Sequence, residues 1–348
     1  MRKTRQVTVG GIPIGGGAPI TIQSMCNTDT RDPKASLEQI ERLVDAGCQI
    51  IRLAVPDMEA SKGFGEIKKR CPIPMVADIH FDYRLALKAA QAGVSKIRIN
   101  PGNIGDPERV RAVAEACGTR GIPIRIGING GSLEKHLLAR YGRPTAQALV
   151  DSAAGHAELL ERFGFRDICL SLKSSSVPLT VEACRLAAET FPYPLHLGVT
   201  EAGTVYGGVI ASAAGIGALL LEGIGDTIRV SLTADPVEEV RAAITLLKAC
   251  GLRRGGVRVV SCPTCGRTEI DLIGLANRVE ALVRGLDRDI TVAVMGCVVN
   301  GPGEAREADY GIAGGKDKGL LFKKGEVLGT YDYDQLCGRL MELILNDK

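Results

Sequence analysis

The sequence contains no tryptophan, and aromatic residues make up only 4% of its 348 residues. Proteins that bind single-stranded nucleic acid stack bases on aromatic side chains, and this chain offers few of them. Its formal net charge of +3 is also too small to indicate nucleic acid as a partner. These two shortages argue against nucleic-acid binding.

Long apolar runs are missing as well. No run approaches the roughly 20 residues that a membrane-spanning helix needs. The basic residues 1–5 lead into a Gly-rich, strand-like stretch at 7–17, where a signal peptide would have an apolar core and a cleavage site. We therefore expect no membrane segment and a cytoplasmic location.

Histidine is scarce, with four residues, and none follows His196. The eleven cysteines are odd in number and scattered, which does not suit a disulfide framework. Most lie in apolar or helix-like stretches and are interpreted as small core residues. Only Cys262, Cys265 and Cys297 stand in Gly/Pro-rich turns that follow apolar, strand-like runs.

These three cysteines form a CxxC pair followed by one distant thiol. A structural zinc site normally takes a fourth cysteine or histidine, whereas the nearest substitute here is the carboxylate of Glu304. Thiolates are the usual ligands of iron–sulfur clusters, and an oxygen ligand at one iron could be displaced by a substrate. The spacing favours an iron–sulfur site and leaves zinc as the alternative.

Strands and helices alternate through the larger part of the chain. Apolar runs begin at residues 20, 50, 74, 95, 123, 167, 195 and 227, with amphipathic stretches between them. Eight such units predict an α/β fold, a (β/α)8 TIM barrel, over residues 1–251. A doubly wound sheet is the alternative, but the glycines at 15–17 precede a strand instead of following one.

A linker at 252–256 separates this barrel from a predicted small α+β domain, residues 256–348, which carries the three cysteines. We predict a strand, a helix at about 269–284, a strand that ends at Met295, a hairpin at 320–331 and a last helix from about Tyr333. Residues 311–319 resemble a phosphate-binding loop but break its pattern, so a solvated turn is predicted there.

Five predicted strands each place one cation near their carboxyl end: Arg52, Arg98, Arg125, Lys173 and Arg229. The alternation of side chains points these cations into the barrel. A buried cation is costly without an anion, and the strands carry too few carboxylates to pair all five. Internal salt bridges are the alternative. The pattern favours a phosphate-rich or diphosphate substrate at the carboxyl-terminal mouth.

Polar residues end other strands at the same mouth. Asp78 and His80 follow the third strand and could orient hydroxyl groups, and Asn129 follows the fifth. Thr200 and Glu201 end the seventh, and Glu201 is the best candidate for an acid or base. Its alternative role is to cap a helix that begins near residue 202.

The histidines outside this mouth are given structural roles. His196 lies inside a predicted strand and is interpreted as an interior residue or part of the pocket wall. His136 and His156 are predicted on helix surfaces.

Taken together, the chain resembles the bacterial 4-hydroxy-3-methylbut-2-enyl diphosphate synthase family of isoprenoid biosynthesis over essentially its whole length. The matching segments are PITIQSM (19–25), ADIHFD (77–82), RINPGNI (98–104), GINGGSL (127–133), HLGVTEAG (196–203), SCPTCGRT (261–268) and GCVVNGPGE (296–304). The last of these is very specific.

The resemblance implies reductive ring opening and dehydroxylation of 2-C-methyl-D-erythritol 2,4-cyclodiphosphate, with electrons from flavodoxin or ferredoxin. It implies a [4Fe-4S] cluster on Cys262, Cys265, Cys297 and Glu304. It also implies that the five cations hold the diphosphate, and that Asn129, Thr200, Ser231 and Asn300 assist. Glu201 would supply a proton to the departing hydroxyl. The family forms a homodimer in which the cluster domain of one chain covers the barrel mouth of its partner.

Two other functions compete with this expectation. One is a non-redox barrel enzyme with a structural zinc module. The other is a cluster-bearing sensor without catalysis. Iron and sulfide counts separate the first from the family chemistry, and turnover separates the second.

Overall fold

The computed structural model describes residues 2–268, 270–297 and 305–347. The chain divides into two compact units, Met1–Arg253 and Arg254–Lys348. None of the described helices is long and apolar enough to cross a membrane.

Among the described residues of the first unit, eight parallel strands form one sheet. They are β3 (Thr21–Met25), β4 (Ile50–Ala54), β5 (Met75–Asp78), β6 (Lys96–Ile99), β7 (Ile124–Asn129), β8 (Ile168–Lys173), β9 (His196–Leu197) and β10 (Thr227–Ile228). The order is β8-β7-β6-β5-β4-β3-β10-β9, and a parallel bridge between Leu170 and Leu195 joins its two ends. The sheet therefore closes into a barrel, and the predicted TIM-barrel fold is confirmed.

Helices connect successive strands around the outside. They are α1 (Pro33–Asp45), α2 (Met58–Arg70), α3 (Tyr83–Gln91), α4 (Pro101–Ile104), α5 (Pro107–Gly118), α6 (Lys135–Tyr141), α7 (Ala146–Arg162), α8 (Val177–Thr190), α9 (Val205–Leu221) and α10 (Pro236–Ala249). A short 3-10 turn, Gly130–Ser132, follows β7.

Three of these helices begin at an Asp-Pro pair. Asp32, Asp106 and Asp235 each accept a hydrogen bond from a backbone N–H in the first turn, at 3.0 Å in each case. Proline at the first helical position has a suitable backbone angle and lacks an N–H that would have no partner there. Local sequence therefore fixes where these helices start, and so the length of the loop that precedes each one.

An antiparallel hairpin, β1 (Val7–Val9) and β2 (Ile12–Ile14), covers the amino-terminal end of the barrel. Val7, Val9 and Ile14 are buried against Ile50 and Val76 of the barrel interior, together with Cys169. Burial of this apolar floor leaves the carboxyl-terminal end as the open end of the barrel.

The second unit has a mixed five-stranded sheet among its described residues, in sequence order: β11 (Val257–Ser261), β12 (Ile290–Met295), β13 (Tyr310–Gly314), β14 (Gly319–Lys323) and β15 (Glu326–Tyr331). The first three strands are parallel, and β13 to β15 run antiparallel. Helices α11 (Leu272–Val283) and α12 (Tyr333–Asn346) contribute to the same core as the sheet.

One prediction for this unit was wrong in part. Residues 311–314, expected in a solvated turn, belong to the buried strand β13, and only residues 315–318 form the turn before β14. Gly311 packs directly against the Phe322 ring. A Cβ at this position would lie 2.2 Å from that ring, so no larger residue fits there. The glycines that suggested a loop are thus required by close packing inside a sheet.

Candidate active site

A cavity of about 330 Å³ lies at the carboxyl-terminal end of the barrel strands. It is lined by Arg52, Asp78, His80, Phe81, Arg98, Asn100, Asn103, Arg125, Asn129, Ser132, Ser171, Lys173, Thr200, Arg229 and Ser231. All five predicted cations are among these residues, because parallel strands of similar register end at one level. Asp78, Arg98 and Arg125, for example, are register partners on β5, β6 and β7.

Asp78 links two of the cations. Its carboxylate lies 3.2 Å from Nη1 of Arg98 and 3.7 Å from Nε of Arg52, and 3.8 Å from Nε2 of His80. Burial alone would raise the pKa of Asp78, but Arg52 and Arg98 outweigh it and lower that pKa. Burial likewise lowers the pKa of Arg52 to about 10, and Asp78 opposes the shift. Asp78 therefore neutralises one side of the cation ring.

On the other side of the ring, no carboxylate of the described residues forms an ion pair with Arg125 or Lys173, although the charge of Asp78 still acts on Arg125. Arg125 is 1% exposed, and its Nε and Nη2 have no hydrogen-bond partner among the described residues. Burial, followed by the charges of Arg52 and Arg98, lowers the pKa of Arg125 well below its usual range. Burial and Arg125 do the same to the pKa of Lys173. These two cations leave a strong demand for an anion in the cavity.

Two glycines make room for the cations. A Cβ on Gly127 would lie 2.5 Å from Nε of Arg98, and a Cβ on Gly198 would lie 2.5 Å from Nζ of Lys173. Arg98 also donates a hydrogen bond to the carbonyl of Gly127, at 3.3 Å. The absence of a side chain at Gly127 and Gly198 therefore leaves the space that the Arg98 and Lys173 side chains occupy.

Glu239, at the start of α10, was missed in the sequence. Its buried carboxylate lies 3.4 Å from Nη2 of Arg229 and accepts a hydrogen bond from the backbone N–H of Leu232 at 2.9 Å. It holds Arg229 against the loop that follows β10. An acidic residue in a first helical turn has an ordinary role at the helix dipole, so the sequence offered no separate signal for this contact.

Glu201 lies beside the main cavity, in a smaller one of about 150 Å³ that it shares with Arg229, Ser231 and Glu239. Its side chain is exposed, and its backbone has φ of +53°, the left-handed region that non-glycine residues rarely adopt. Helix α9 begins at Val205, with Thr204 at the N-cap position, so a helix start near residue 202 was wrong. The unusual backbone of Glu201 matches the strain found at functional positions.

Five other lining residues also escaped prediction: Phe81, Asn100, Asn103, Ser132 and Ser171. Ser171 stands two residues before Lys173 on β8, so strand alternation could have found it. Ser132 lies in the 3-10 turn after Asn129, and Phe81 follows His80 and is 73% exposed. Asn100 directly follows β6 and Asn103 lies in the four-residue helix α4, and periodicity gives no orientation for either.

The three predicted ligand cysteines follow the carboxyl ends of two neighbouring strands of the second sheet. Cys262 directly follows β11, and Cys297 follows β12 by two residues, on parallel neighbours that pair Ser261 with Val294. The backbone N–H of Gly296 donates to Sγ of Cys262 at 3.2 Å. Hydrogen bonds from the backbone and side chain of Arg267 lower the pKa of Cys265. All three thiols are free.

Within the described ranges, no three His, Cys, Asp or Glu side chains lie close enough to hold a metal ion. Glu304, the predicted fourth ligand, and Asn300, the predicted substrate contact, lie outside the described residues.

Of the three remaining histidines, His196 and His136 lie where they were predicted, and His156 does not. His196 is fully buried in the barrel, where Nδ1 is 3.4 Å from Oγ1 of Thr227, and His136 is exposed on α6 as expected. His156 was predicted on a helix surface, and this was wrong. It is buried on α7, where its Nε2 lies 2.6 Å from Oε1 of Glu134.

Comparison with known families gives matches over both units. A model described as the GcpE TIM-barrel domain matches residues 4–244, and a model described as the GcpE protein C-terminal domain matches residues 258–346.

Curated relatives match the chain almost end to end. A protein of Geobacter sulfurreducens is 59% identical over 326 residues, 94% of this chain and 92% of its own. One of Maridesulfovibrio salexigens is 58% identical over 351 residues, 100% of this chain and 98% of its own. Both are named 4-hydroxy-3-methylbut-2-en-1-yl diphosphate synthase (flavodoxin).

Among solved structures, the Yersinia pestis dihydropteroate synthase in complex with a sulfonamide drug matches with a TM-score of 0.51 and 13% identity. The match covers 71% of this chain and 98% of that one. The Xanthomonas albilineans dihydropteroate synthase also gives 0.51 and 13%, over 71% and 97%. At such low identity these likenesses bear on the barrel fold alone.

Proposed function

The chain belongs to the GcpE family, and on that premise we propose that it catalyses the reductive ring opening and dehydroxylation of 2-C-methyl-D-erythritol 2,4-cyclodiphosphate to 4-hydroxy-3-methylbut-2-enyl diphosphate. The observation that carries this proposal is the uncompensated pair of buried cations, Arg125 and Lys173, at the end of the barrel. A cyclic diphosphate supplies the negative charge that this pair demands.

The cation ring also suits the chemistry of ring opening. When the bond between the ring carbon and a phosphate oxygen breaks, that oxygen gains negative charge. Arg125, Lys173 and Arg229 are already fixed around the cavity, so they stabilise this charge without reorganising. Asn129, Thr200 and Ser231 line the same cavity and would hydrogen-bond to the phosphates or hydroxyls.

Two acidic residues have separate roles in this proposal. Asp78, held between Arg52 and Arg98, stays ionised and orients hydroxyl groups together with His80. Glu201 lines the smaller cavity together with Arg229 and Ser231, and its proposed role is to give a proton to the departing hydroxyl.

The electrons would come through a [4Fe-4S] cluster held by Cys262, Cys265, Cys297 and Glu304. The described residues fit such a group by their donor chemistry. Three free thiols follow two neighbouring parallel strands, and hydrogen bonds favour the thiolate at Cys265. When bound, the cluster supplies two electrons in single steps. Asn300 is proposed to contact the substrate.

Flavodoxin is the proposed electron donor, on the strength of the relatives' names, and ferredoxin is its alternative. The cytoplasm is the proposed location, because the free cysteines need a reducing compartment.

The test uses full-length protein purified without oxygen, with Arg125→Ala compared to Arg166→Ala, which removes an exposed arginine instead. We expect Arg125→Ala to lower kcat/KM for the cyclic diphosphate by about a hundredfold or more, since a buried cation is lost. Its iron and sulfide content should equal that of wild type and of the control. Unchanged turnover would contradict the proposal, and an inactive wild type that carries a cluster would indicate a sensor.

The cluster assignment has its own test. We expect Glu304→Ala to lower iron retention or activity, and full activity with an intact cluster would refute Glu304 as a ligand. Zinc without iron in the wild-type protein would remove the redox proposal altogether.

We also propose a homodimer whose active site is shared between chains. The short linker between Ala249 and Val257 limits how far the second unit can reach. Arg125→Ala and Cys297→Ala should each be inactive alone. Co-expressed, they should regain about a quarter of wild-type activity, because half of the dimers carry one intact site of two. No recovery in a verified heterodimer would mean that each site is built from one chain.

A further inference from the structure

Strand β6 carries two inward cations. Arg98 reaches the cavity, and Lys96 stands two residues earlier on the same face of the strand. Lys96 is 0% exposed and does not line the cavity. It therefore lies one layer deeper, between the substrate cavity and the apolar floor that Val7, Val9 and Ile14 cover.

Lys96 is buried without compensation. Its Nζ has no hydrogen-bond or ion-pair partner among the described residues. The titratable and charged groups that act on it are Arg52 on β4, Arg125 on β7, Cys169 on β8 and His196 on β9. The buried carboxylate of Asp226 also acts on Cys169, but it already accepts hydrogen bonds from the Thr4 hydroxyl and the backbone N–H of Leu195.

These neighbours do not supply a free anion. Asp78 is engaged by two arginines, and burial raises the pKa of Cys169, which keeps that thiol neutral. Burial, opposed by Cys169 and aided by Arg125 and Arg52, lowers the pKa of Lys96 to about 8. A negative charge in the cavity above would reverse this balance.

We propose that Lys96 is a positioning residue that, at alkaline pH, takes up a proton from solvent when the cyclic diphosphate binds, and so keeps a positive charge beneath the arginine layer. No covalent bond changes in this step. Above about pH 8, where the free amine is mostly neutral, it becomes an ammonium group as the substrate enters and returns the proton when the product leaves. The inference rests on the proposed function, because it needs an anionic substrate in this cavity.

Proton linkage gives the size of the effect. If the bound state restores an ordinary lysine pKa of about 10.4, Lys96 takes up about 0.9 of a proton near pH 9. Between the pKa of Lys96 in the free protein and its pKa in the complex, loss of this proton weakens substrate binding about tenfold for each unit by which the pH rises.

The experiment is isothermal titration of full-length anaerobic protein with the cyclic diphosphate, without reductant. It is run at about pH 9 in two buffers of different ionisation enthalpy. The difference between buffers gives the number of protons taken up. Wild type is compared with Lys96→Met, which keeps length and volume, and with Lys88→Met, which removes an exposed lysine on α3.

We expect Lys96→Met to take up about 0.9 of a proton less than wild type near pH 9, and Lys88→Met to match wild type. Protons taken up or released by the ligand, the buffer and Lys173 are the same in each variant, so they cancel when the proton uptake of the variants is compared. Lys96→Met should also melt no lower than wild type, because it removes an unpaired buried amine. Equal uptake in Lys96→Met and wild type would overturn the inference.

The outcomes separate this inference from the proposed function. If wild type binds the cyclic diphosphate but Lys96→Met takes up the same number of protons, the role of Lys96 fails and the function stands. If wild type does not bind it, the function fails, and the inference fails with it. Should Lys96→Met not fold, Lys96→Gln is titrated instead, with the same expected loss of uptake and the same contradicting result.

Discussion

Gly127→Ala is expected to disable the cavity without adding any group to its chemistry. The new Cβ would lie 2.5 Å from Nε of Arg98, which is about 0.9 Å short of ordinary van der Waals contact at 3.4 Å. Backbone in the middle of a barrel strand moves little, so the guanidinium has to give way. The Arg98 guanidinium would then lose two hydrogen bonds, one to Asp78 at 3.2 Å and one to the carbonyl of Gly127 at 3.3 Å.

The magnitude follows from these two contacts. A hydrogen bond to a charged group contributes about 1.5–3 kcal/mol, so the loss of both contacts should lower the free energy of unfolding by about 3 kcal/mol or more. A displacement of about 1 Å in a substrate-positioning side chain costs about a hundredfold in rate. We therefore expect kcat/KM to fall by a factor of about 10 to 100, while iron content stays that of wild type.

The assay is steady-state turnover of the cyclic diphosphate with a flavodoxin donor, together with urea unfolding and iron counting. The control is Gly155→Ala in the exposed part of α7, where a Cβ meets nothing within 4 Å. Alanine favours helix, so this control should gain up to about 1 kcal/mol and keep full activity. Wild-type kcat/KM in Gly127→Ala would refute the argument that Arg98 needs the space left by the missing side chain at residue 127.

Three further changes test the charged contacts. Asp78→Asn leaves two buried guanidinium groups without their carboxylate and should lower the free energy of unfolding by about 3 kcal/mol in urea; no loss would contradict the pairing. Glu239→Gln loosens Arg229 and should raise KM several-fold with normal iron content, whereas an unchanged KM speaks against the clamp. Burial opposes ionisation of Glu134, but His156, with Nε2 at 2.6 Å, and the Ser152 hydroxyl that donates to the same carboxylate lower the Glu134 pKa to about 2. Its stabilising effect is therefore complete above pH 4.5 and lost towards pH 2. The stability difference between wild type and Glu134→Gln should shrink over that range in urea titrations, and a constant difference would count against the ion pair.

Some predictions failed where residues distant in sequence meet. His156 has the spacing of a helix-surface residue, yet Glu134, from the loop after β7, packs against it and removes it from water. The glycine-rich residues 311–314 have the composition of a loop, but Phe322 of the neighbouring strand needs the space that glycine leaves. Composition and periodicity describe a segment by itself and carry no information about such partners.

The sequence alone determined the barrel and the inward cations. Alternation along a strand decides which side chains share a face, and parallel strands of equal register bring their ends to one level. Tertiary structure alone decided how the charges are balanced. Asp78 and Glu239 neutralise some cations, while no carboxylate in the described part of the chain pairs with Arg125, Lys173 or Lys96. Burial and pairing depend on side chains that meet only when the barrel closes, and the energy of a charge depends on both.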